Sequence, residues 1–247
     1  MRKSMIALAL AGAAIGASAS APAMEPPLEL IYADRAPYYV TKADGSVGGL
    51  VAGPVSEALK RAKIPVRWLV RPGKRQIETI RKGGTRTCSP GWFKKPEREA
   101  FAKFSDPIYQ DRPQILVVRA ADQAKFAHPG LAALFGDAAF KFGAKLGYSY
   151  GAYVDGLIAE TSPQILRTPQ DSKGMIRMLL GRRFDYLMAA PEEFSSLAEG
   201  LGDKRGAIAE VQMKDIPPGN TRHLMCSKSV EDSVLERFNR ALAVVIE

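Results

Sequence analysis

An α/β fold is predicted for this chain. Strand-like and helix-like stretches alternate along its length, the pattern of α/β proteins. The first three have the order and spacing of a βαβ unit with a right-handed crossover. About 225 residues remain once an N-terminal leader is set aside, enough for one large domain or two small lobes with real cores.

Residues 28–33, Leu-Glu-Leu-Ile-Tyr-Ala, read as the first strand. Pro37-Tyr-Tyr39 follows as a loop, and Asp44-Gly45 marks a hairpin-type turn. Gly53-Pro54 opens a helix, with proline tolerated in its first turn. Val55, Ala58, Leu59 and Ala62 recur at helical spacing and give that helix one apolar face. Residues 64–70 form the second strand, parallel to the first. Residues 76–82 make a short helix closed by Gly83-Gly84. A third strand over 85–89 is expected to end at a Pro90-Gly91 turn.

Residues 114–119 are the next strong strand, followed by a short helical segment over 131–135 and an apolar stretch over 140–146. The loop Gly147-Tyr-Ser-Tyr-Gly151 leads into a helix over 153–160. Residues 172–180 read as a helix ended by Gly181, 184–189 as a strand and 191–197 as a helix. A strand over 207–213, a stiff Pro217-Pro-Gly219 linker and a strand over 223–226 follow. Ser229 is the expected N-cap of the last helix, which runs to Ile246.

The N-terminus has the composition of a secretory signal. Arg2 and Lys3 precede an apolar run over 5–17, and Ala19-Ser-Ala21 and Ala21-Pro-Ala23 are small-residue cleavage sites. Removal of 1–23, with the cut after Ala21 or Ala23, is therefore expected. The run falls short of the ~20 residues of a membrane span, and no cysteine follows it to carry a lipid. Arg2 and Lys3 account for two of the formal charges in +9, so the mature chain keeps +7. Its Lys and Arg are dispersed, with no run of five and no nucleic-acid motif, so a solvated basic surface favouring anions is expected. The two histidines, His128 and His223, and two cysteines, Cys88 and Cys226, stand far apart in sequence, so no metal site or cofactor is expected. An exported chain carries its cysteines into an oxidising compartment, where they are either two buried thiols or one disulfide.

The most specific stretch is 91–109. Pro96-Glu-Arg98 is followed, five residues after the arginine, by Lys103-Phe-Ser-Asp-Pro-Ile-Tyr109. This pattern resembles the family 3 solute-binding proteins, the extracytoplasmic receptors of ABC importers for amino acids and related solutes. Gly147-Tyr-Ser-Tyr150 sits where that family has a Gly-Ser/Thr turn, and Gly181-Arg-Arg-Phe-Asp185 matches its Gly-x-x-Asp step into a strand. The resemblance implies a periplasmic binding protein type II fold: two α/β lobes with two crossovers between them. Lobe one would comprise 25–112 and 215–247 and lobe two 113–214, with crossovers at Asp111-Arg-Pro113 and Pro217-Pro-Gly219. It also makes the strands ending at Cys88 and Cys226 neighbours, which implies a Cys88–Cys226 disulfide with Cα atoms about 4.4–6.8 Å apart.

The resemblance further implies a periplasmic, monomeric, non-enzymatic receptor with ABC permease subunits as partners. Arg98 would hold a ligand carboxylate, because a guanidinium pairs with one bidentately. An arginine here without that context would read as a surface residue bonding Glu97 or Glu99. Ser149, with the backbone N–H groups opening the next helix, would be the lobe-two counterpart. Tyr38, Tyr39, Trp92, Phe93 and Tyr150 lie in loops expected at the cleft, where they would suit an aromatic or extended apolar ligand portion; core packing is the alternative for each. Arg75 is a candidate second cation or an exposed helix residue.

The chain departs from the family pattern before the arginine, where Pro90, Gly91 and Phe93 replace small hydroxyl residues. The acid that usually holds an ammonium is replaced by Ala190; Glu192 or Glu193 could substitute, or could simply cap their helix. The family's usual terminal extension is not expected after the last helix. The expected solute is a small anion, an amino acid or another organic acid, held by closure of the two lobes; these departures count against an α-amino acid and leave an organic anion open. Two rival readings use the same fold: a dehydratase of prephenate-type acids, with Glu192 or Glu193 as acid or base, and an accessory factor of a periplasmic dehydrogenase.

Overall fold

The chain builds two five-stranded sheets, each covered by helices on both faces. Residues 25–246 are described by a computed structural model; the expected leader over 1–23 lies outside them. Sheet one contains β1 (Leu28–Tyr32), β4 (Val66–Val70), β5 (Thr87–Trp92), β6 (Ala102–Gln110) and β12 (Thr221–Ser227), in the order β4-β1-β5-β12-β6. Sheet two contains β7 (Ile115–Arg119), β8 (Phe142–Lys145), β9 (Ile165–Thr168), β10 (Tyr186–Ala189) and β11 (Ile208–Val211), in the order β11-β7-β10-β8-β9. A two-strand hairpin, β2 (Val40–Thr41) with β3 (Val47–Gly48), turns at Gly45.

The first helix, α1 (Ala52–Arg61), connects β1 to the parallel β4. Its predicted stripe forms as expected: Val55, Ala58 and Leu59 are buried, and Ala62 packs beside them. They meet Val234, Phe238 and Leu242 of α8 (Asp232–Ile246) over one face of sheet one. Ile80 of α2 (Gly73–Lys82) packs with Ile31, Trp92 and Met225 on the other face. In sheet two, α4 (Leu131–Gly136) and α5 (Ala152–Thr161) cover one face. The other face is covered by α6 (Ser172–Leu180) and α7 (Pro191–Glu199). No helix among the described residues is long and apolar enough to cross a membrane.

Several elements differ from the sequence expectation. β5 does not stop at Pro90-Gly91 but continues to Trp92. A register irregularity in the facing strand, between His223 and Leu224, accommodates the proline and the bend. Gly91 sits at φ +85°, and a Cβ there would lie 1.6 Å from the Tyr39 hydroxyl. Two strands escaped the sequence reading. β6 is masked by Asp106-Pro107 in its middle, and β9 is only four residues long. Ser229 does not cap the last helix: its hydroxyl bonds the Thr85 carbonyl, and α8 starts three residues later.

The chain passes from sheet one to sheet two through residues 111–114 and returns through 212–220. These segments run side by side, with Asp111 N donating to the Asn220 carbonyl at 3.0 Å. Gly219 is required by that approach, since a Cβ there would stand 1.8 Å from the Asp111 carbonyl oxygen. Cys88 and Cys226 are directly opposed on β5 and β12 and form a disulfide. Their Cα atoms are 4.0 Å apart, closer than the expected range, because directly opposed antiparallel residues approach closely at alternate positions.

Candidate functional site

A cleft lies between the two sheets near the crossovers, with about 760 Å³ of empty volume including its mouth. Sheet one supplies the ends of β1 and β5 and the short helix α3 (Pro96–Glu99). Sheet two supplies the 147–151 loop and the end of β10. An adjoining chamber of about 360 Å³ shares Arg35, Tyr148, Tyr150, Met188 and Ala189 with it.

Arg98 lies on α3 and lines the cleft, 8% exposed. It bonds neither acid beside it. Glu97 pairs with Lys95 and Glu99 with Lys94. Nη1 of Arg98 donates to the Phe93 carbonyl at 2.9 Å, and the guanidinium lies 4.9 Å from the Trp92 ring centroid. Burial lowers its pKa, offset in part by Glu97 and Asp155. Trp92 is itself held by a chain of buried hydrogen bonds. Its Nε1 donates to Ser89 Oγ at 2.7 Å, and that hydroxyl donates to Gln76 Oε1 at 2.8 Å.

The other candidate residues fall into four groups. Tyr39, Trp92, Phe93 and Tyr150 line the cleft. Tyr38 does not: it is fully buried behind the wall, beneath the Arg222 guanidinium at 4.2 Å. Arg75 is exposed on α2 and does not line the cleft, so its plain helix-surface reading applies. Ser149 lines the cleft, but its hydroxyl is already engaged: it donates to Asp155 Oδ2 at 2.5 Å and accepts from Lys95 Nζ. Asp155 also accepts from Tyr150 N at 2.9 Å. This protein's own carboxylate therefore occupies part of the anion position at the start of α5.

The remaining charged lining is arranged in pairs. Arg222, on β12, meets Asp111 in a bidentate pair at 2.6 and 2.7 Å. Arg35, just after β1, meets Glu193 of α7 at 2.8 and 2.6 Å. That pair joins the two halves of the molecule. Glu193 is 3% exposed; burial alone would raise its pKa, but Arg35 and Lys145 hold it down to about 2. It stands with Glu192 in the first turn of α7, where acids are favoured. Glu192 accepts from Tyr109 at 2.9 Å and pairs with Arg112 at 3.3 Å. Lys95 with Asp155, at 2.8 Å, is a second ion pair across the cleft.

Sequence reasoning missed Arg35, Arg222, Asp111, Tyr148 and Lys145. The two arginines find their carboxylates 158 and 111 residues away, a pairing with no local signature. Tyr148 was legible in principle. It stands in the same loop as Ser149 and Tyr150, and its ring packs on Trp92 at 6.1 Å across the cleft.

Two α/β halves joined by paired crossovers, with a polar cleft between them, define a binding protein of the periplasmic type II fold. The chain belongs to the bacterial extracellular solute-binding proteins, family 3, which it matches over residues 30–247. No curated protein sequence matches it significantly. Solved structures share its fold. One is an ancestral arginine-binding protein bound to glutamine, 18% identical, with a TM-score of 0.69 over 91% of this chain and 93% of that one. Another is the amino acid ABC transporter substrate-binding protein AbpA from Streptococcus pneumoniae bound to L-arginine, 15% identical, with a TM-score of 0.69 over 89% and 88%. A histidine kinase sensor domain with similarity to periplasmic binding proteins is 15% identical, with a TM-score of 0.70 over 89% and 90%. The family membership makes this a protein that binds a small solute.

Proposed function

We propose that this protein captures a small organic anion outside the cytoplasm by closing two lobes around it, as the non-enzymatic receptor of an ABC importer. Lobe one is 25–112 with 215–247, lobe two is 113–214, and the mature chain begins after Ala21 or Ala23. The carrying observation is Arg98, a buried cleft guanidinium that pairs with no carboxylate among the described residues. A ligand carboxylate supplies the missing partner. The lining carries Arg35, Arg98 and Arg222 against Asp111 alone. An α-ammonium finds no free acid there. Ala190 occupies the usual place, and Asp111 and Glu193 are committed to arginines. The same commitments argue against a dehydratase, since Glu192 and Glu193 are both tied up.

The test begins with a thermal-shift screen of organic acids and continues by calorimetry with the acid that stabilises most. Arg98→Ala leaves a buried anion without its partner and should cost roughly 2–5 kcal/mol of binding. Arg98→Lys should restore only part, since a point charge cannot reproduce the fork. A folded Arg98→Ala variant that binds like the parent refutes the assignment. Mass spectrometry of the exported protein checks the leader.

A further inference from the structure

The charge pairing around the cleft leaves two cations over. Arg222 is matched by Asp111 and Arg35 by Glu193. Arg98 is one remainder. The other is Lys145, at the end of β8, whose side chain is 15% exposed and lines the adjoining chamber. Its only acidic neighbour within ion-pair reach among the described residues is Glu193, at 3.9 Å, beyond hydrogen-bonding distance. Both oxygens of that carboxylate already accept from Arg35, and one also accepts from Ser172 Oγ at 3.0 Å. One negative charge thus stands between two partly buried cations. Lys145 Nζ donates to the neutral Ser172 hydroxyl at 2.7 Å. A largely enclosed ammonium with no anion of its own is costly, and a ligand group entering the chamber can relieve that cost.

We propose that the ligand is a dianion, with one carboxylate on Arg98 and a second anionic group on Lys145 in the adjoining chamber. This rests on the proposed role of Arg98. The two spaces share Arg35, Tyr148, Tyr150, Met188 and Ala189; with Arg35 already held by Glu193, the other four suit a largely apolar spacer between two charged ends.

The surroundings of Lys145 support this. The groups facing it are Arg35 after β1, Glu193 on α7, Asp171 and Ser172 at the start of α6, and Tyr148 and Tyr150 in the loop after β8; Arg222 acts from farther away. Burial, with Arg35 adding to it, pushes the Lys145 amine down to about 8, against the pull of Glu193 and Asp171. A bound anion would raise it again. Dianion binding should therefore take up protons near that pH and weaken as pH rises through about 8.

The experiment compares linear dicarboxylates, succinate through suberate, with the monocarboxylate of equal length, by thermal shift and calorimetry on the mature protein. At least one dicarboxylate should bind about tenfold or more tightly than its monocarboxylate. Lys145→Gln should abolish that advantage and its pH dependence, with circular dichroism and the melting temperature of the ligand-free variant checking its fold. If Lys145→Gln itself fails to fold, the parent's pH profile decides: a dicarboxylate advantage that does not decline through about 8 overturns the proposal. Equal affinity for both acid classes in the parent, or no stabilisation by any dicarboxylate, also overturns it. If monocarboxylates bind and Arg98→Ala abolishes that binding, the Arg98 reading survives the loss of the dianion. If Arg98→Ala changes nothing, both fall.

Discussion

Replacing Glu193 with glutamine should loosen the two lobes from each other without unfolding either. In the parent protein the Glu193 carboxylate reaches across from α7 to Arg35 through two hydrogen bonds, at 2.8 and 2.6 Å. Its pKa of about 2, against an ordinary 4.5, corresponds to about 3 kcal/mol favouring the charged state, an upper bound for the pair because Lys145 and Ser172 of the same half contribute beside Arg35. Removing one partner of a buried pair costs a similar roughly 3–5 kcal/mol, because the other charge stays buried alone. Here the abandoned charge has an escape. Arg35 belongs to the sheet-one half and Glu193 to the sheet-two half, so separation of the halves returns the guanidinium to water. The cost therefore falls on closure, while the cores around Phe238 and Phe142 keep their packing. A shift of about 3 kcal/mol is roughly a hundredfold in the closed-to-open ratio. Solution X-ray scattering should show a larger radius of gyration, and calorimetry a ligand affinity lowered by up to that factor. Acid should act likewise on the parent. The depressed pKa means the stabilisation is complete above about 4.5 and is lost as pH falls toward 2, so the parent should open over that window. A Glu193→Gln protein that scatters and binds like the parent would show that the pair does not hold the lobes. One that loses about 3 kcal/mol in denaturant unfolding with no change of shape would place the pair in the folding core instead.

Three further outcomes test the scaffold. Cys88→Ser with Cys226→Ser opens a crosslink spanning 138 residues and should cost about 2–5 kcal/mol in urea unfolding; two reactive thiols in the unfolded, unreduced parent would show that the bond does not form. Gly91→Ala places a methyl group against Tyr39 at a φ of +85° and should cost at least about 1–3 kcal/mol, together with ligand affinity, since both residues line the cleft; thermal melting and calorimetry report the two losses. Asp171→Ala removes the carboxylate that accepts from Gly174 N at 2.6 Å and should cost about 1 kcal/mol in urea unfolding, with Asp171→Asn recovering most of it.

Much of this fold is written locally, and the site is not. The α1 stripe and the β1–α1–β4 unit follow from apolar periodicity alone, since each segment buries its own pattern. The strand limits at Pro90-Gly91 failed because the continuation of β5 depends on an irregularity in β12, more than 130 residues later in the chain. Arg98 was singled out because it sits inside a continuous motif, and it lines the cleft. Arg35, Arg222 and Lys145 were not, because their meaning lies in a charge count over groups from both lobes. Arg222 looks like an ordinary strand residue until Asp111 is placed beside it by the adjacent crossover, and Glu193 looks like a first-turn helix acid until Arg35 reaches it. Once those two pairs are drawn, the cleft can be read by subtraction: the cations left over are Arg98 and Lys145, the two that the proposed dianion would answer.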